Sequence, residues 1–216
     1  MKIFLDTADV ETISNLVSTG LIDGVTTNPT LIRKSGAEPD DVYSAIADLG
    51  VEDISMEVYG DAQQMYDEGV RLSDKYGKVA TIKLPMTHDG LSVCRELNKE
   101  LIRTNVTLIF SIPQAILAAK SGATYVSPFV GRLDDQQVAG LEVLRGIAGL
   151  YSMKQVRTQV LAASIRTVHR AVRAFYNGAH VVTMPPSVFM KMYDHVLTDK
   201  GLEIFDADIA AIEAKI

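Results

Sequence analysis

Lys83 stands in the middle of an apolar run, Val79–Pro85, whose composition predicts a buried strand. An ammonium group leaves water only at considerable cost, so a strand-borne lysine snorkels to an edge, pairs with an acid, or loses its proton. The third outcome makes a nucleophile. Desolvation lowers the pKa, and the neutral amine can then attack a carbonyl carbon and form a Schiff base. Taken alone, the run fits an edge charge or a salt-bridge partner as readily. What bears on the choice is the company the lysine keeps. Asp6, Asn28, Glu57, Thr107, Ser127 and Ser164 each lie on or close a strand-like run, and Phe129 follows Ser127 by two positions. Any one Asp or Ser in such a place also serves as a helix N-cap. Together, one lysine, two carboxylates and several hydroxyls supply a nucleophile, proton shuttles and a means of positioning water, which are the parts of Schiff-base carbonyl chemistry.

These residues need a scaffold that brings distant runs to one place. Lys2–Asp6 reads as a strand, and the helix opened by Thr7-Ala-Asp aligns Val10, Ile13, Leu16 and Val17 before Gly20. The pattern then repeats. Gly24–Asn28 precedes, after a short loop, a helix from about Pro39 with Val42, Ile46 and Leu49 in line, and Ile54–Val58 precedes a helix from Asp61 to Lys75 facing Met65, Gly69 and Leu72 inward. The Lys83 strand leads to a helix from about Asp89, and Asn105–Phe110 to one capped by Ser111 with Pro113 in its first turn, ending near Gly122. Tyr125–Phe129 precedes a helix from Asp134 to about Leu150. Val160–Ser164 precedes one with Val168, Val172 and Phe175 in register, and Val181–Met184 one with Val188 and Met192. Eight alternations, with strand starts about 20 to 35 residues apart, predict an α/β chain folded as one (β/α)8 TIM barrel. In such a barrel the C-terminal strand ends surround the active site, so the polar residues named above share one mouth. Parity agrees: Ser55 and Glu57 oppose Ile54, Met56 and Val58, and Thr81 and Lys83 oppose Ile82 and Leu84. The barrel is expected over residues 1–200. Residues 201–216 add a helix whose Leu202, Phe205, Ile209, Ile212 and Ile216 form a narrow seam, fitted either to its own barrel or to a neighbouring subunit.

Composition excludes several classes. With 216 residues, 47% of them hydrophobic, and no low-complexity tract, the chain predicts one compact domain. No apolar run reaches the length of a signal or membrane helix, which points to a cytoplasmic protein without membrane association. Single Cys94 has no evident histidine partner and reads as filler, and His88, His169, His180 and His195 have no metal-ligand spacing. A net charge of −6 argues against a nucleic-acid partner while leaving room for arginines to grip a phosphate locally. No G-x-G-x-x-G or Walker motif follows the first strand, which removes dinucleotide and P-loop readings.

The segments Leu5-Asp-Thr-Ala, Gly24-Val-Thr-Thr-Asn-Pro-Thr30, Ile82-Lys-Leu-Pro85, Asn105–Ser111, Ser127-Pro-Phe-Val-Gly-Arg132 and Ala162-Ala-Ser-Ile-Arg166 resemble, in order, the transaldolase family, most of all its short branch, which includes fructose-6-phosphate aldolase. That resemblance implies a class I aldol mechanism with no metal or cofactor, acting on sugar phosphates. It casts Lys83 as the imine-forming residue and Asp6 as the general acid/base, with Glu57 and Thr107 holding the water for proton transfer. Asn28 and Ser127 would bind the dihydroxyacetone hydroxyls, with Thr26, Asn105 and Phe129 also lining the substrate site, and Arg132, Ser164 and Arg166 would hold the phosphate. It further implies a homo-oligomer, a decamer of two five-membered rings, with the C-terminal helix on a neighbour. Thr30 and Ile165 depart from the Ser and Phe expected there. Within the branch, aldolases typically carry Gln where this chain has Glu57 and Tyr where it has Phe129, so both positions favour transaldolase. Two other readings stand beside these: a non-catalytic sugar-phosphate-binding barrel, which has no use for so complete a set, and a barrel isomerase, which needs no lumen lysine.

Overall fold

The computed structural model describes residues 1–214. Its strands are β1 (Lys2–Asp6), β2 (Gly24–Thr26), β3 (Asp53–Glu57), β4 (Ala80–Pro85), β5 (Thr104–Ile109), β6 (Tyr125–Pro128), β7 (Gln159–Ala162) and β8 (Val181–Met184). All pair in parallel with their sequence neighbours, and β8 returns to β1 through Lys2↔Val181 to Leu5↔Met184, closing the barrel. The helices between them are α1 (Val10–Val17), α2 (Pro29–Ser35), α3 (Pro39–Asp48), α4 (Ala62–Tyr76), α5 (His88–Lys99), α6 (Ile112–Lys120), α7 (Val130–Asp135), α8 (Gly140–Met153) and α9 (Val168–Tyr176), and α10 (Pro186–Met190) follows β8. The eightfold alternation expected from sequence is the fold. No helix among the described residues is long and apolar enough to cross a membrane.

Strand parity sorts the core into two. Outward residues such as Leu5, Val25, Ile54, Met56, Ile82, Leu84 and Val106 are buried under the helices in one continuous apolar layer. A smaller apolar cluster, Phe4, Tyr125, Leu161, Ala163 and Val181, fills the lumen. Phe4 has room because its neighbour across the ladder is Gly24, where any Cβ would stand 2.8 Å from the ring. The lumen floor is polar beside it: buried Asp53 accepts hydrogen bonds from Arg103 Nη1 at 2.9 Å and Tyr125 OH at 3.0 Å. Cys94, fully buried beside Thr104, fills space as expected.

Five expectations need correction. The loop after Asn28 contains α2: Asn28 Oδ1 accepts from Leu31 N at 3.0 Å and Pro29 takes the first helical position, a compact start signal. The single helix expected over Asp134–Leu150 is two, α7 and α8, separated where Gln137 adopts φ +60° and Asp134 Oδ1 accepts from Gly140 N at 3.1 Å. In α9 the most deeply buried residues are Ala171 and Ala174, with Val168 and Phe175 half-buried and Val172 52% exposed. Helix α10 ends before Met192, which is 37% exposed. After it comes α11 (Val196–Glu213), which starts ahead of the expected Gly201 because the His195 ring accepts from Leu197 N and caps it. Ile216 of the expected seam lies outside the described residues.

Candidate active site

Lys83 is 6% exposed and lies on a sheet with no edge, which removes the edge-charge reading. The barrel register sets Lys83 beside Glu57 on β3, and Nζ donates to Glu57 Oε2 at 3.0 Å and to the Thr27 carbonyl at 2.9 Å. The lysine therefore does have an acid partner, one half-buried at the barrel mouth, where a proton can be handed over within a hydrogen bond's length.

Asp6 ends β1 on the same mouth. Its Oδ1 accepts from Thr26 Oγ1 at 2.8 Å, and that hydroxyl is 2.6 Å from Thr183 Oγ1. Burial pushes the Asp6 carboxyl above the ordinary carboxylate range, against the Thr26 hydrogen bond and the charges of Lys83 and Arg132, while Glu57 adds to the rise. A second polar chain crosses β3, β5 and β6: Ser127 Oγ donates to Asn105 Oδ1 at 2.7 Å, and Asn105 Nδ2 donates to Ser55 Oγ at 3.2 Å. Thr107 Oγ1 is buried with no partner among the described residues, so it is open to a water or a substrate hydroxyl. Beyond it the β5–β6 register shifts between Val106 and Ile109, Leu108 takes φ +60°, and Thr107 and Leu108 both line the mouth.

The mouth encloses a cavity of about 330 Å³, lined by every site residue named from sequence except Arg166. The strand ends are looser than expected: Asn28, Phe129 and Ser164 lie just past their strands, Ser164 in the left-handed region at φ +59°. Arg132 packs its guanidinium 4.8 Å from the Phe129 ring centre, and Phe129 lies 5.8 Å from Phe110. Arg166 faces an adjoining cavity of about 500 Å³ that also borders Arg132, and donates to both oxygens of Asp135 at 2.7 Å each. Thr183, Leu108, Leu161 and Ala163 line the mouth and were not singled out from sequence. Parity within Val181–Met184 points Thr183 and Val181 the same way, so that signal was present; the bulge that turns Leu108 inward leaves none.

A family profile described as Transaldolase/Fructose-6-phosphate aldolase matches residues 3–216. The chain belongs to that family. Among its relatives in the transaldolase/fructose-6-phosphate aldolase family, a protein of Caulobacter vibrioides (strain NA1000 / CB15N) named "Probable transaldolase" is 50% identical over 212 residues, covering 98% of this chain and 97% of that one. Proteins of the same name from Ruegeria sp. (strain TM1040) and Paracoccus denitrificans (strain Pd 1222) are 46% and 48% identical over 217 residues, covering 100% of both chains in each case. The likeness extends at the level of fold to a variant flavocytochrome b2 with sulfite bound, with a TM-score of 0.60, 12% identity, and coverage of 86% of this chain and 56% of that one. The family resemblance read from the motifs holds over nearly the whole chain.

Proposed function

We infer that this chain is a transaldolase, moving a dihydroxyacetone unit from fructose 6-phosphate or sedoheptulose 7-phosphate to erythrose 4-phosphate or glyceraldehyde 3-phosphate in the non-oxidative pentose phosphate pathway. The observation that carries this reading is the buried Lys83 amine, bonded to Glu57 and the Thr27 carbonyl at the mouth that Asp6 shares. Glu57 takes a proton from Lys83, the amine adds to the ketose carbonyl carbon, and water leaves as the imine forms. Asp6 accepts the proton of the hydroxyl on the far carbon of the scissile bond, the carbon that becomes the aldehyde. That bond breaks to release an aldehyde, its electron pair staying on the imine-bound fragment as an enamine. The enamine then adds to the acceptor aldehyde, Asp6 returns the proton to the new hydroxyl, and water hydrolyses the imine. Thr107 and Glu57 hold the water, and the Asn105–Ser127 chain with Asn28 and Thr26 orients the dihydroxyacetone hydroxyls. Arg132, Ser164 and Arg166 take the phosphate, as guanidinium forks suit. Glu57 and Phe129, in place of Gln and Tyr, support transfer over simple cleavage, because the apolar ring brings no extra donor near the waiting enamine. We propose further that the protein is cytoplasmic and homo-oligomeric, a decamer of two pentamers with α11 against a neighbour; every described residue of α11 except Gly201 is exposed in the single chain, which supports this.

Borohydride reduction in the presence of fructose 6-phosphate is expected to fix a substrate-derived mass at Lys83, and Lys83→Ala to lose both the adduct and turnover. An unmodified wild-type Lys83 sinks the Schiff-base reading. Glyceraldehyde 3-phosphate should form with erythrose 4-phosphate present and only slowly without it, with little free dihydroxyacetone, and Phe129→Tyr should increase that release. Equal rates with and without acceptor make the protein an aldolase instead.

A further inference from the structure

The Arg166 guanidinium has two usable edges, and among the described residues an acceptor occupies only one of them. Its Nη1–Nη2 end donates to both carboxylate oxygens of Asp135 at 2.7 Å each. The Nε side lies against Gly131: a Cβ placed there would stand 2.3 Å from the Ser164 carbonyl oxygen, 2.9 Å from Ser164 Oγ and 3.1 Å from Arg166 Nε, so the glycine keeps that N–H and that hydroxyl close together. The mount that carries Asp135 is itself fastened, since Asp134 in α7 accepts from Gly140 N at 3.1 Å and pairs with Arg170 of α9 at 3.2 Å. Arg166 holds the Asp135 carboxyl below the usual carboxylate range, so the grip persists at neutral pH. An ion pair this exposed adds little to stability. Its effect is on order, because a long arginine fixed before the ligand arrives loses less freedom when the ligand binds.

We propose that Asp135 is a positioning residue for phosphorylated substrates, clamping one end of the Arg166 fork so that its Nε edge stands ready beside Ser164 Oγ. This rests on the phosphate reading of Arg166 given above. Asp135 need not leave when phosphate binds, because the two anions use different edges of one guanidinium. The test compares glyceraldehyde 3-phosphate with unphosphorylated glyceraldehyde as acceptor, and inorganic phosphate as inhibitor, in wild type, Asp135→Ala, Asp135→Asn, Arg166→Ala and the Asp135→Ala/Arg166→Ala double variant. Asp135→Ala is expected to raise KM for the phosphorylated acceptor and the inhibition constant of phosphate by roughly 2- to 12-fold, the cost of ordering one long side chain. Its kcat should hold, Asp135→Asn should fall between it and wild type, and the double variant should match Arg166→Ala. Tighter phosphate binding in Asp135→Ala would make the carboxylate a competitor and overturn the proposal; unchanged values, or a double variant weaker than Arg166→Ala, overturn it as well. If Arg166→Ala itself leaves phosphate discrimination intact, the phosphate reading fails and the proposal falls with it.

Discussion

Asp6 holds a carboxyl where the surroundings favour its neutral form, and the site's chemistry therefore carries a cost in stability. Because burial raises its pKa above the unfolded value of 3.8, the folded chain retains the Asp6 proton to higher pH than the unfolded chain does. Stability then falls as pH rises between the two values, and above the folded pKa the full penalty of the buried charge is present. Asp6→Asn should accordingly raise the unfolding midpoint at neutral pH while lowering turnover by about 10²- to 10⁴-fold. Its advantage over wild type should shrink as pH is lowered toward the unfolded value. Denaturation of both proteins across pH 3–8 checks this, and a variant no more stable than wild type at pH 7 would contradict it. Thr107, whose buried hydroxyl has no partner among the described residues, likewise carries a cost in stability.

At the scale of elements, the link from β4 to α5 shows how little slack surrounds Lys83. Gly90, in the first turn of α5, lies so close to the end of β4 that a Cβ there would stand 2.1 Å from the Pro85 carbonyl oxygen. Gly90→Ala is expected to destabilise the chain by about 1–3 kcal/mol, the usual range for overpacking, and to slow imine formation by shifting the end of β4. Denaturant titration and single-turnover trapping at Lys83 measure the two effects, and an unaltered midpoint would show that α5 can move freely. The strands that carry Asp6, Glu57 and Lys83 were legible because a two-residue period and a polar end leave a plain mark in sequence. What escaped was set by packing. Helix α9 buries Ala171 and Ala174 because small side chains allow close approach, so apolar size pointed to Val172 and misled. The break between α7 and α8 rests on Asp134 reaching forward to Gly140, and Arg166 swings to Asp135, neither of which periodicity can express.

For the molecule as a whole, α11 is the part the barrel leaves uncovered. Leu202, Phe205, Ile209 and Ile212 are all more than half exposed, a line of apolar surface that a stable single chain would not be expected to keep in water. Light scattering should therefore report an oligomer for the full chain, and a smaller species for a chain ending at Asp194 or carrying Phe205→Asp. A monomeric full-length protein would remove that arrangement. Closure of the barrel between β1 and β8 also bears on how the enzyme comes into being in the cell. Asp6 leaves the ribosome near the start of synthesis, whereas Thr183, whose hydroxyl is 2.6 Å from the Thr26 hydroxyl that holds Asp6, leaves near its end, a wait of roughly 10 to 35 s at about 5–20 residues per second. During that interval Lys83 has been made but its ring of strands is open. A growing chain thus carries the Lys83 amine without a finished pocket around it, and the reactivity proposed for that amine belongs to the closed barrel alone.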